Sequence, residues 1–498
     1  ADHLESERNI VHSEYMARIR DESRRENDVL NQLLNPDNPT TGFAVGSRET
    51  LASPPEGEAT LRERVIDFYH QHYDANVMNL AIVAPQPLDQ LEEWVATLPR
   101  YIERQSLQDR RQLRFYFPVP DPTEDYRTKP TQVIAHLLGD EGEGSLLAVL
   151  RDAGLADGLS AGVGRGDGNE ALFTISISLT PAGAERLDDI EATLFAAIDQ
   201  LRNDGLAGWR YEEQAKLNEQ AFRFQQYGAP QQEATRLSMS LSRYPVEDVQ
   251  YAAYRMDGPD AERQQVYLDA LTPDNMLRFY SAPDIESNTV SPWFHTQWDE
   301  QVPEQPGQPL SGLALPGPNP FIASDLTLLE GQDERPSLLV ETPSFTAWHM
   351  QDDRFNTPKV EWRVSLQSPT ASYSAHEAVL TRLLASWLND SLNESLYPAW
   401  LAGQSFSAYP HARGMTLSFS GWRDGQTPLI EQALEQLAHA EITDSAFERV
   451  RYQLQREWRN APQASLYGQA SRTLGEALLT PQWSTAELLA ASERFDSG

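Results

Sequence analysis

Ala171-Leu-Phe173-Thr-Ile175-Ser-Ile177-Ser-Leu179-Thr180-Pro181 decides how the fold is read. Phe173, Ile175, Ile177 and Leu179 alternate with Thr174, Ser176 and Ser178, so successive side chains fall on opposite faces of a half-buried strand. Thr180 offers an N-cap oxygen, and Pro181 a first helical residue with no N–H to satisfy. Leu187, Ile190, Leu194, Ile198 and Leu201 continue as one helical stripe, which Gly205 is expected to end. The same order of events recurs further on. Met415, Leu417 and Phe419 alternate with Thr416, Ser418 and Ser420, and Thr427-Pro428 opens a helix with Ile430, Leu434 and Leu437 on one face. An amphipathic segment follows each helix, at 209–224 and 447–458.

A second repeat supports the first. Residues 74–85 and 273–283 both read as a turn, a short apolar strand and a proline stop, a domain-sized interval apart. The fold class expected is α+β: repeated modules, each a mostly antiparallel sheet packed with helices. The remnant of a first module is placed at 1–106, a second at 107–285 and a third at 337–498. Between them, 286–336 is rich in proline and glycine and long enough to act as a hinge.

Composition narrows the classes of function. The 498 residues contain no cysteine, which excludes disulfides and thiolate metal sites. A formal charge of −34 disfavours nucleic acid and anionic membranes as partners. No apolar run is long enough to span a bilayer, so membrane insertion is not expected.

Glu7 and Glu14 are seven residues apart, almost two helical turns, so on a helix both carboxylates share one face. Two glutamates at this spacing also describe an ordinary solvated helix face. Joined by Asn9-Ile-Val-His-Ser-Glu14, however, they resemble the metal-binding helix of the pitrilysin and insulin-degrading enzyme family, zinc peptidases with an inverted His-x-x-Glu-His motif. Other stretches carry the same resemblance in the same order: Leu138-Gly-Asp-Glu-Gly-Glu-Gly-Ser-Leu-Leu147, Leu217-Asn-Glu-Gln-Ala-Phe-Arg-Phe224, Trp348-His-Met-Gln-Asp-Asp-Arg-Phe355 and Asp390-Ser-Leu-Asn-Glu-Ser-Leu-Tyr397.

The resemblance implies two halves of a peptide-enclosing chamber and a zinc-dependent endopeptidase acting on peptides and small unfolded proteins. It makes Glu14 the carboxylate ligand of one Zn2+ and Glu7 a support for a ligand histidine. A zinc peptidase also needs two imidazoles and a general base. None of the ten histidines begins His-x-x-Glu-His or His-Glu-x-x-His, so the motif is expected upstream of Ala1 and the chain alone is expected to be inactive. His12 stands about 200° around a helix from Glu14 and is a poor partner for it.

The resemblance further implies an exosite that holds the N-terminal part of a substrate by strand addition. Its positions fall on His136, Gly139 and Glu141, and on Leu159, Ser160 and Ala161. Read from the residues alone, the same glycines make a helix-entry loop and His136 a packed core histidine. His349 with Asp352 and Asp353 reads as a turn or an interdomain contact and not as a metal site. The family suggests a periplasmic protein of a bacterium, with the cytoplasm second, and a monomer. The alternatives are a non-catalytic relative that binds peptides or serves as an assembly subunit, and a specialised processing peptidase such as that of quinone-cofactor biosynthesis.

Overall fold

The strand centred on Phe173 and Ile177 becomes an inner strand of a seven-stranded sheet. In the computed structural model, residues 2–33, 42–52, 60, 63–67, 98–166, 168–204, 207–226, 228–301, 306–439 and 441–495 are described. The 74–85 half of the second repeat, His70, His72 and Gly205 lie outside them. The sheet comprises β1 (Arg100–Gln105), β2 (Arg111–Pro120), β3 (Ala156–Gly166), β4 (Glu170–Leu179), β5 (Leu277–Ala282), β6 (Thr289–Val290) and β7 (Gln297–Gln301). Their spatial order is β3-β4-β2-β5-β1-β7-β6. All pairings are antiparallel except β1 with β5.

Phe173, Ile175, Ile177 and Leu179 are fully buried, together with Leu113, Phe115 and Phe117 of β2. Helices α1 (Asp2–Ala17), α2 (Glu22–Leu33), α3 (Pro130–Leu138), α4 (Leu146–Asp152), α5 (Leu187–Asp204), α6 (Gly208–Arg223) and α7 (Ala261–Ala270) belong to this half. The apolar residues of α3, α4, α5 and α7 close the core over one face of the sheet. Thr180 caps the single turn Pro181–Ala184 through the Gly183 N–H, as its sequence requires. Pro273–Asn275 is a 3-10 turn leading into β5, whose six residues are all buried.

The opposite face is covered by α2, whose Val29 and Leu30 pack with Ile102, Tyr116, Leu277 and Phe279. A buried charge network fixes it there. Arg104, 3% exposed, donates to Glu22 at 2.8 Å and to Glu26 at 3.0 Å. The Tyr116 hydroxyl donates to Glu26 at 2.8 Å, and Arg114 also pairs with Glu26. Every charge in the group has an opposite partner, the condition under which burial is tolerated.

Two readings of chain organisation need correction. The strand 100–105, assigned to the first module, lies inside the sheet of the second, where it pairs with β5 and β7. The proline-rich 286–336 segment is no free hinge. It supplies β6 and β7, then packs Leu310, Leu313 and Leu315 on one core and buries Phe321 in the next. Length and proline content suggested freedom, but the apolar residues between the prolines dock it.

The third module holds the hairpin β8 (Ser337–Glu341) and β9 (Thr346–His349), and a sheet in the order β10 (Lys359–Gln367), β12 (Gly414–Trp422), β11 (Ser405–His411). Helices α8 (Ala375–Leu401), α9 (Gln426–His439), α10 (Asp444–Asn460) and α11 (Thr485–Ser492) form its core with β12. The helix expected to open at Thr427 already starts at Gln426, after a 3-10 turn Arg423–Gly425. Pro428 therefore sits inside the first turn, where an N–H is not needed. Asp352 pairs with Arg354, and the Asp353 carboxylate accepts from the Gly331 N–H at 3.4 Å, a turn role for that pair. Among the described residues, no helix is long and apolar enough to cross a membrane.

Candidate exosite and carboxylate helix

Loop 42–52 holds α1 from one side. Arg48 donates to the Asn9 side-chain oxygen at 2.7 Å, and its backbone N–H to His12 Nδ1 at 3.4 Å. A side chain at Gly46 would meet Val11 at 2.6 Å, so loop and helix touch through a missing Cβ. Tyr15, 8% exposed, meets Phe43 and Phe294 edge to face with ring centres at 5.5 and 5.8 Å, and its hydroxyl reaches the Trp293 carbonyl. With that side of the helix packed, Glu7 and Glu14 are left exposed.

Among the described residues neither carboxylate has a hydrogen-bonding or ion-pair partner, so both are chemically available as oxygen donors. His12 is turned to Arg48 instead of Glu14. Among the described residues, no group of three His, Cys, Asp or Glu side chains could hold a metal ion. The carboxylates of Glu7 and Glu14 are exposed oxygen donors, and the described residues around them add no third ligand.

The second constellation is assembled across the sheet edge. Among the described residues β3 pairs only with β4, and in that register Leu159 faces Ile177, Ser160 faces Ser176 and Ala161 faces Ile175. Leu159 is buried, Ser160 exposed and Ala161 intermediate, and among the described residues no strand pairs along the other edge of β3. Helix α3 ends beside it. A Cβ at Gly139 would come 2.9 Å from the Ala135 carbonyl and 3.5 Å from the Ala161 N, so glycine permits this approach. The loop that follows is tight: the Asp140 side chain accepts from the Gly142 N–H at 2.8 Å, and Ser145 caps α4 through Ala148. Gly144 has φ +75, and a Cβ there would lie 2.7 Å from Ala314.

Glu141 follows Gly139 in this loop. Its Oε2 accepts from Asn393 at 2.8 Å and lies 3.6 Å from Arg151. Oε1 has no hydrogen bond among the described residues, which leaves one oxygen for an amine. Burial raises the Glu141 pKa, with Arg151 opposing the shift. His136 lines a cavity between the second and third modules, and burial pushes its pKa down to about 4, so it is neutral at pH 7. Neighbouring Asp140 is pushed up to about 6 by burial, with the Gly142 N–H opposing.

The structure therefore brings Gly139, Ala161 and the β3 edge together, with Glu141 in the loop beside them, and turns His136 toward the cavity. Two residues that sequence reasoning passed over come from α8: Asn393 on Glu141, and Tyr397, whose hydroxyl donates to the Gly139 carbonyl at 3.1 Å. Their i, i+4 spacing puts both on one helix face, the one signal available beforehand.

Residues 222–491 match the family model described as the middle or third domain of peptidase M16, and residues 96–217 match the peptidase M16 inactive domain. The chain belongs to the M16 peptidase family. Insulin-degrading enzyme of Drosophila melanogaster is 28% identical over 98% of this chain and 53% of its own length. The human insulin-degrading enzyme is 28% identical over 91% of this chain and 48% of its own length, and the A-factor-processing enzyme of Saccharomyces cerevisiae 26% over 99% and 52%. The chain thus spans about half the length of the curated relatives it matches. The crystal structure of pitrilysin shares the fold, with a TM-score of 0.66 and 24% identity over 100% of this chain and 56% of that one.

Proposed function

We propose that this chain is the substrate-holding part of a zinc-dependent endopeptidase that degrades peptides and small unfolded proteins. The observation that carries the reading is the outer edge of β3 beside Gly139, with Glu141 Oε1 left open. An extended peptide can add there as a further strand, its α-amino group meeting Glu141. Leu159, Ser160 and Ala161 would contribute backbone groups, which makes the capture tolerant of sequence. His136 then acts through α3, from behind the edge.

In the same proposal Glu14 is a zinc ligand and Glu7 orients a ligand histidine. The imidazoles and the general base belong to a His-x-x-Glu-His segment that these 498 residues do not contain, so the chain alone is expected to cleave nothing. Zinc bound there would lower the pKa of its water and polarise the scissile carbonyl. A two-halved chamber, module boundaries with strand 100–105 and the strands of 286–301 moved into the second module, a monomeric state and a bacterial periplasm are parts of this proposal. The second reading is a non-catalytic peptide-binding or assembly subunit; the region matching a domain described as inactive, 96–217, holds the β3 edge and not the Glu7 and Glu14 helix, so peptide holding there does not itself call for a metal.

Calorimetry on the 498-residue chain tests the capture step. A short peptide with a free N-terminus should bind without zinc, its N-acetylated form about 10-fold more weakly, and a form N-methylated at alternate amides not at all. Equal binding of all three places peptide recognition elsewhere. Zinc content of the parent protein separates the two readings, since only the first requires it.

A further inference from the structure

We infer that the third module holds the capture edge in shape: Asn393 orients the Glu141 carboxylate, and Arg456 sets the position of β3 through Asp157. The inference rests on the strand-addition reading above and names two positioning residues for that site. Neither of them touches the peptide.

The first observation is an irregularity in β3. Ala156 pairs with Leu179 and Gly158 with Ser178, so two steps of β3 oppose one step of β4 and Asp157 is the extra residue. A bulge of this kind takes its residue out of the alternation and re-aims the side chain. The Asp157 carboxylate, 9% exposed, meets Arg456 of α10 at 3.0 Å. Burial raises the Asp157 pKa and Arg456 opposes the rise, so the guanidinium favours the charged form. Leu159, the first residue of the edge, lies two positions further on.

The second observation is at the other end of the site. Glu141 Oε2 accepts from the Asn393 amide at 2.8 Å and lies 3.6 Å from Arg151, which fixes one oxygen and leaves Oε1 for an amine. Both tethers belong to one packed unit. Asp390 of α8 pairs with Arg449 of α10 at 2.6 Å, and Leu388 and Leu392 share a core with Leu454 and Trp458. Loop and strand are therefore fastened to the same two helices, which sets the span between the amine acceptor and the backbone edge. A peptide adding to an edge already held need not order it on binding, and preorganisation of this kind raises affinity. Helix α10 also makes a tie outside both elements, from Arg459 to Asp109 at 3.1 Å.

Calorimetry on the 498-residue chain, with the peptide Gly-Val-Thr-Val-Thr-amide and its N-acetyl form, decides it. The parent chain should prefer the free amine about 10-fold. Asn393→Leu should cut that preference to about 3-fold or less, while the acetylated peptide binds as to the parent. The preference is a ratio within one variant, so it does not depend on how much of the protein is folded. Arg456→Gln should weaken both peptides about 5-fold and keep the preference, and Arg456→Lys should recover part of the loss. Arg459→Gln should leave both affinities unchanged. If the parent binds the peptides and Asn393→Leu and Arg456→Gln match it, the inference is overturned and the strand-addition reading stands. Equal losses in Arg459→Gln and Arg456→Gln also overturn it, because they report a general loosening between modules. If the parent binds neither peptide, the strand-addition reading fails and this inference with it.

Discussion

The sheet around β4 is covered on both faces, whereas among the described residues nothing covers the outer strand of the sheet around β12. In the second module, Phe115, Phe173 and Ile177 are fully buried under helices, and α2 closes the opposite face over Tyr116 and Phe279. In the third, Met415, Leu417 and Phe419 of β12 are buried, yet their cross-strand neighbours Leu366, Val364 and Trp362 on β10 are 47%, 40% and 51% exposed. Both regions show the same apolar alternation. Alternation therefore tells which face is apolar, and the cover comes from chain segments that the strand's own sequence does not specify.

The sharpest test of that contrast is Phe173→Ala, which should cost about 3–5 kcal/mol of unfolding free energy by leaving a cavity in a core that cannot collapse. Arg104→Met ranks next, at about 3 kcal/mol, the low end for breaking a buried pair because Arg114 and Tyr116 still reach Glu26. If it cost nothing, α2 would be held by its apolar contacts alone. Denaturant titration reads both.

A pH series probes the loop beside the edge strand. His136 titrates at about 4 in the fold against 6.5 for the ordinary imidazole. Between those values the unfolded chain binds more protons, so its contribution to stability falls as pH falls. Asp140 titrates at about 6 against 3.8, so the folded state binds more protons there and its contribution rises as pH falls. The two oppose each other from about pH 6 to 4. His136→Gln should remove one slope, and its thermal midpoint relative to the parent should climb on acidification. A constant difference would show that His136 is not held neutral by burial. The smallest effect belongs to Trp362→Ser on the bare strand, within about 0.5 kcal/mol, as for surface positions. A cost rivalling Phe173→Ala would abolish the contrast between the two sheets.

What could be read in advance was local. Thr180 and Pro181 start a helical turn where their chemistry demands it, and β4 buries its alternate residues. The family resemblance placed Gly139 and Ala161 in one site, and a Cβ added at Gly139 would come 3.5 Å from the Ala161 N. What could not be read depended on partners far along the chain. Nothing near Arg104 announces Glu22 and Glu26, some eighty positions earlier. Prolines in 286–336 suggested a hinge, while the leucines between them decided otherwise. Asn393 and Tyr397 reach the 139–145 loop only because α8 crosses it.

Hydrogen exchange of β3 in the 498-residue chain, with and without a saturating peptide bearing a free N-terminus, tests the central claim most directly. Strand addition requires that amides around Leu159, Ser160 and Ala161 exchange more slowly in the complex, and that N-acetylation or Glu141→Gln reduces this protection at equal peptide concentration. Peptide binding that leaves β3 exchange unchanged, while slowing amides elsewhere, would contradict the account.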